Sequence, residues 1–140
     1  MKVQDIMSNK VMWVAPDTSL VEVSKILAAS DIGSVPVCQQ DKVIGIITDR
    51  DIIVRCVAQG KNPQNTMVQE VMTKDVIIVS PEEDIHKAAD LMAKKQIRRL
   101  PVVSSGRLVG FLAIGDMAVE TIHIDEAGQA LSNISQGVHH

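Results

Sequence analysis

Aromatic side chains are almost missing from this 140-residue chain, which has one Trp, one Phe and no Tyr. Proteins that hold single-stranded nucleic acid stack bases on aromatic rings, so that class loses its usual platform. Basic charge is also short. Fourteen Lys and Arg stand against 17 Asp and Glu, for a net charge of −3, and no long basic run argues for nucleic acid or anionic lipid as a partner. No apolar run approaches the roughly 20 residues of a membrane-spanning helix. The opening MKVQDIMSNK carries charged and polar residues where a secretory leader needs an apolar stretch, so a cytoplasmic location is expected. Only two cysteines occur, Cys38 and Cys56. They have no metal-ligand spacing and are too few for a disulfide framework; both are expected to be buried or semi-buried thiols. No Ser-His-Asp order, metal-ligand cluster or Walker-type phosphate loop is found. The sequence therefore reads as a non-enzyme, with no catalytic residue, no metal site and no required cofactor.

What the chain does have is aliphatic content and a repeat. Hydrophobic residues make up 46% and charged residues 22%, an ordinary globular balance, with a core to be built from Val, Ile, Leu, Met and Ala. Residues 3–52 align with residues 68–117 at a constant shift of 65, without a gap. VQDIMSNKVMWVAP lies over VQEVMTKDVIIVSP, DIGSVPV over QIRRLPV, and VIGIITDRDI over LVGFLAIGDM. The breakers Pro16, Pro36 and Gly45 all recur with their spacing intact, which chance explains poorly.

Each copy reads as β-α-β-β-α. A short apolar strand, Val11–Val14 or Val76–Val79, ends near a proline. A helix follows. Ser19 and Glu22 form a capping-box pattern in the first copy, and Asp84 is the expected N-cap in the second. Two strands come next, Val35–Cys38 with Val43–Thr48, and Leu100–Val103 with Leu108–Ala113. The short polar turns QQDK and SSGR predict antiparallel hairpins. A last helix starts near Asp49 or Gly115, and Gly60 is placed to stop the first. The expected organisation is α+β: repeat 1 over 1–58, a linker over 59–66, repeat 2 over 67–120, and a tail over 121–140 able to form a short helix. A repeat of about 55 residues is marginal alone, so the two are expected to pack as a pair about an approximate two-fold axis.

These motifs resemble the cystathionine-β-synthase (CBS) domain, and their tandem order resembles a stand-alone CBS pair, or Bateman module, of the small bacterial type. The carriers are VQDIM and VQEVM, VAPDTSL and VSPEEDI, DIGSVPV and QIRRLPV, and GIITDRD and GFLAIGD. The resemblance implies clefts between the paired motifs that bind an adenosine derivative: AMP, ADP or ATP first, S-adenosylmethionine after them. It also implies a homodimer built through helical faces. The family's Gly-h-x-Thr/Ser-x-x-Asp signature, with h apolar, is met in full by Gly45, Ile46, Thr48 and Asp51. By resemblance, Asp51 accepts from ribose hydroxyls and Thr48 contacts sugar or phosphate. A carboxylate can accept from two neighbouring hydroxyls, Gly45 would let a ligand approach the backbone, and the start of the adjacent helix offers N–H groups to a phosphate.

The second copy keeps Gly110 and Asp116 but has Ala113 in place of the hydroxyl residue. Arg98 and Arg99 fall where some family members place cations against phosphate, at positions held in the first copy by the uncharged Gly33 and Ser34. Ile32, Val35 and Pro36, and Ile97, Leu100 and Pro101, would flank the base. Arg50, Lys10 and Lys74 are further phosphate candidates.

Taken alone, Thr48-x-x-Asp51 is also a helix-capping pattern, and the two roles can coexist. The expected function is a regulatory module that senses an adenine nucleotide and signals to a separate effector protein. The alternative is a structural or partner-binding adaptor with vestigial ligand sites, for which Ala113 is the sequence support. His139 and His140 can be native or a tag remnant.

Overall fold

A computed structural model describes residues 1–119. The expectations for the tail 121–140, its short helix and the origin of His139 and His140, lie outside the described residues.

The elements follow the hydrophobic period. Leu20, Val23 and Leu27 form the buried face of α1 (Leu20–Ser30). Ser19 Oγ caps it by accepting from the Glu22 N–H at 3.3 Å. The Glu22 carboxylate pairs with Lys25 at 3.4 Å rather than turning back toward Ser19. Asp31 ends the helix in the left-handed conformation, φ 53°. The hairpin β1 (Ser34–Gln39) and β2 (Lys42–Thr48) is antiparallel. Its two-residue turn, Gln40 and Asp41, has φ of 52° and 70°, the positive angles that match hairpin twist. The short helix α2 (Asp49–Ile52) runs into one π turn, Ile53–Val57, and Gly60 follows at φ 75°.

The second repeat is built alike. The helix α3 (Ile85–Lys95) buries Ile85, Ala88, Ala89 and Met92. Asp84 caps it by accepting from the His86 N–H at 2.7 Å, a bond that holds its carboxyl below the usual value. Gln96 ends it at φ 56°. The hairpin β3 (Arg99–Ser104) and β4 (Arg107–Ala113) turns through Ser105 and Gly106, and α4 (Ile114–Val119) follows.

The expected first strands are a correction. Val11–Val14 and Val76–Val79 form no ladder; each contributes one bridged residue. Val14 donates to the Pro36 carbonyl at 3.0 Å and accepts from Cys38 at 2.9 Å. Val79 does the same with Pro101 (3.1 Å) and Val103 (2.9 Å). The pairing cannot extend, because Pro36 and Pro101 have no N–H to offer and the hairpin register shifts just after Val37 and Val102.

Packing divides the chain differently from the repeat. Among the described residues, one compact unit is Met12–Val76; the other is Met1–Val11 together with residues 77–119. In the first unit the segment around Val68–Glu70 closes over repeat 1. Val68 donates to Thr18 at 2.8 Å, Gln69 to Pro16 at 3.1 Å, and Thr73 exchanges two bonds with Ile46, both 2.9 Å. In the second unit the opening Val3–Asp5 turn closes over repeat 2. Val3 donates to Glu83 and Gln4 to Pro81, both at 2.9 Å, and Ser8 exchanges bonds of 2.8 and 2.9 Å with Phe111. Val3 and Val68 are each 0% exposed, worth about 1.5–3 kcal/mol per side chain. Each unit has its own aliphatic core: Leu20, Val23, Val35, Val37 and Ile47 in one, Ile85, Met92, Leu100, Val102 and Leu112 in the other.

Candidate functional site

The junction of β2 and α2 carries the fuller motif. Thr48 has extended backbone, φ −114°, so its side chain can fold over the helix start. Thr48 Oγ1 accepts from the Asp51 N–H at 3.0 Å, and Asp51 Oδ2 accepts from the Thr48 N–H at 3.1 Å. This is a reciprocal capping box, so the capping role is present in full. It engages one carboxylate oxygen. The other, Oδ1, faces Arg55 Nε at 3.8 Å. Arg55 was not singled out by the sequence analysis. Its four-residue spacing from Asp51 on a helix was the available signal.

At the start of α2, where a phosphate cradle was expected, the chain supplies its own partners. The first amides of α2 are already used. Asp49 N–H donates to the Gly33 carbonyl at 2.9 Å, Arg50 N–H to Asp49 Oδ1 at 2.8 Å, and Asp51 N–H to Thr48. The Arg50 side chain is exposed.

The equivalent junction between β4 and α4 keeps half the box. Asp116 Oδ2 accepts from the Ala113 N–H at 2.9 Å, but Ala113 has no oxygen to return. Its cation comes from elsewhere. Arg99 stacks its guanidinium on the Phe111 ring at 4.0 Å. Burial pushes that guanidinium below the usual arginine value, while the negative charge of Asp116 opposes the shift. In the ladders Ser34 stands opposite Thr48, and Arg99 opposite Ala113. The first repeat thus has two hydroxyls at this cross-strand pair. The second has a long cation facing a small residue, and a threonine there would crowd the stacked arginine. Arg98 has an exposed side chain, and its carbonyl accepts from Ile114 at 3.0 Å.

The signature glycines answer to packing. A Cβ on Gly45 would lie 2.5 Å from Met72 Sδ and 3.0 Å from the Thr73 carbonyl oxygen. One on Gly110 would run into the Ser8 carbonyl oxygen. The space directly beside each glycine is filled by its closing segment. Val35 and Leu100 are likewise 0% exposed and belong to the two cores, and Pro36 and Pro101 are buried. Of the expected base-flanking residues, Ile32 and Ile97 keep exposed surface. The helix ends before them set their place: Ile32 N–H donates to Leu27 at 3.1 Å and Ile97 N–H to Met92 at 3.0 Å. Lys10 and Lys74 are exposed.

Cys38 and Cys56 are free, fully buried thiols. Burial pushes the Cys38 thiol up to about 11, with the Asp41 charge adding to the effect. Among the described residues no group of three His, Cys, Asp or Glu is placed to hold a metal ion, and no helix is long and apolar enough to cross a membrane.

Comparison with known proteins agrees with this architecture. The family model described as the CBS domain matches residues 3–57 and 68–121. The chain is 41% identical over 138 residues to the CBS domain-containing protein YhcV of Bacillus subtilis, covering 98% of both chains. Among solved structures it is similar to Hypoxic Response Protein I with two coordinated zinc ions, at TM-score 0.76 and 31% identity, covering 85% of this chain and 98% of that one. It is also similar to the CBS domain pair of protein MJ0100 in complex with 5′-methylthioadenosine and S-adenosyl-L-methionine. That match has TM-score 0.73 and 31% identity, and covers 85% of this chain and 94% of that one.

Proposed function

The chain belongs to the CBS-domain family, and from that premise we propose that it is a regulatory module that binds an adenosine derivative and signals to a partner protein. The observation that carries the proposal is the state of Asp51. Its Oδ2 is committed to the cap, while Oδ1 accepts no hydrogen bond from the cap and lies 3.8 Å from a charge partner. A ribose presents two neighbouring hydroxyls, and a carboxylate oxygen with open lone pairs is the acceptor they need. The relative crystallised with adenosyl ligands supports the ligand class.

The two junctions suit different tails on that ribose. The first has no cation at Gly33 or Ser34 and no free amide at the start of α2. It suits a nucleoside with a non-phosphate tail, such as S-adenosylmethionine. The second carries Arg98 and Arg99, and an arginine fork suits phosphate, so AMP, ADP or ATP belongs there. Regulation then works by population shift, with the ligand favouring one arrangement over another. An exposed apolar stripe on the π turn, Ile53, Val54 and Val57 at 60%, 42% and 56% exposure, supports a homodimer. The function is regulatory, not catalytic, and its setting is the cytoplasm.

A second reading, an adaptor with vestigial sites, draws on the packing roles of Gly45 and Gly110 and on the half-box at Ala113. Calorimetry with AMP, ADP, ATP and S-adenosylmethionine separates the two. Binding of at least one below millimolar concentration is expected. Silence from all four at millimolar concentration refutes the sensing function and leaves the adaptor.

A further inference from the structure

The Asp51 carboxylate is held from two sides. The cap fixes Oδ2 through the Thr48 N–H at 3.1 Å. On the other side, Arg55 Nε lies 3.8 Å from Oδ1, too far for a hydrogen bond and near enough for charge attraction. Arg55 is itself anchored. Its Nη1 donates to the Val71 carbonyl at 3.0 Å and to the Met72 carbonyl at 3.3 Å. Those two carbonyls belong to the segment that closes this unit, next to Thr73, which pairs with Ile46. The guanidinium is therefore placed by the protein and not by a ligand.

We propose that Arg55 is a positioning residue for hydroxyl recognition: anchored on the Val71 and Met72 carbonyls, it keeps Asp51 Oδ1 turned outward while leaving its acceptor capacity for a ligand. This rests on the reading of Asp51 as a ribose acceptor. The contact distance is central to the argument. A guanidinium at 2.8 Å would occupy Oδ1 with its own N–H; at 3.8 Å it holds the charge in place and leaves the lone pairs open. Asp51 has 14% of its side chain exposed against 49% for Arg55. The acid is thus accessible over a small area. In the second repeat the aligned position is Glu120, an acid, and Asp116 faces Arg99 instead. The two repeats supply the cation for the signature acid from different elements, a helix in one and a strand in the other.

The test is a nuclear magnetic resonance titration of the full chain, following the backbone amides of Thr48 and Asp51 so that the first junction is read alone. The probes are adenosine and 2′,3′-dideoxyadenosine, which lacks both ribose hydroxyls. The wild-type chain is expected to prefer adenosine by about tenfold or more, the worth of a hydrogen bond to a charged acceptor. Arg55→Gln is expected to cut that preference to about threefold or less, and Arg55→Lys, which restores the charge, to recover part of it. A ratio between two probes on one variant is insensitive to a general loss of stability, so a merely structural role would leave it unchanged. If Arg55→Gln does not fold, Arg55→Lys carries the test, with a preference between those of the wild type and of no discrimination. Wild-type preference retained in the variants overturns the positioning role alone. No preference in the wild type overturns the reading of Asp51, and this inference with it.

Discussion

Substituting Ala for each signature glycine separates packing from ligand access within one molecule. At Gly110 the new methyl would collide with the Ser8 carbonyl oxygen, a main-chain atom. That oxygen accepts from Phe111 at 2.9 Å, and the Ser8 N–H donates back at 2.8 Å. Overpacking costs about 1–3 kcal/mol, and each strained main-chain bond about 0.5–1.5 kcal/mol. With both bonds strained, Gly110→Ala should therefore lose about 2–6 kcal/mol. At Gly45 the tightest neighbour is Met72 Sδ at 2.5 Å, the far end of a flexible side chain, and the Thr73 oxygen at 3.0 Å needs to yield only slightly. Gly45→Ala should lose about 1 kcal/mol. Thermal melting without ligand reads both, at roughly 3–6 °C per kcal/mol for a chain of this size. Gly110→Ala should melt well below Gly45→Ala, by roughly 5 °C or more. If the two melt together, or neither falls while ligand binding is lost, the glycines serve the ligand and the packing account is wrong.

Two further outcomes follow from local geometry. Gln96→Gly should raise the melting temperature by relieving a left-handed residue at φ 56°, a gain of about 0.5–1 kcal/mol; a lower melting temperature contradicts this. The Cys38 thiol holds its proton up to about 11 in the folded chain against an ordinary 9.0. Above pH 9 the unfolded chain ionises first, so stability present below pH 9 should decline as pH rises toward 11. Urea unfolding across that range should show Cys38→Ala with a flatter decline, and an equal slope in both chains refutes the assignment.

Much of the fold was legible because it rests on local rules. The Ser19 and Asp84 caps, the QQDK and SSGR turns and the aliphatic faces of α1 and α3 all declare themselves within a few residues. Which repeat each opening segment closes was not legible. VQDIM and VQEVM are nearly alike, so the sequence cannot say that Val3 packs with repeat 2 and Val68 with repeat 1. The strands at Val11–Val14 and Val76–Val79 were overestimated because apolar residues in an extended segment look the same whether or not a partner can pair with them. At the site, Thr48 and Asp51 were legible as both cap and candidate grip. The carbonyls of Val71 and Met72 that anchor Arg55 are sixteen and seventeen residues away and carry no side-chain signal at all. The burial of Val35 and Leu100 likewise depends on the hairpin face that meets the helix, which the four-residue apolar run leaves open.

The account stands or falls on Asp51 having two duties, as cap and as acceptor for a ligand. Calorimetric titration of Asp51→Ala against the wild type, with the adenosine derivative that binds the wild type, measures the second duty directly. Loss of charged hydrogen bonds to two hydroxyls should weaken Kd by about tenfold to a hundredfold at the first junction. The accompanying loss of stability should be that of a capping box, about 1 kcal/mol. An unchanged Kd in a chain that has lost only its cap would contradict the account.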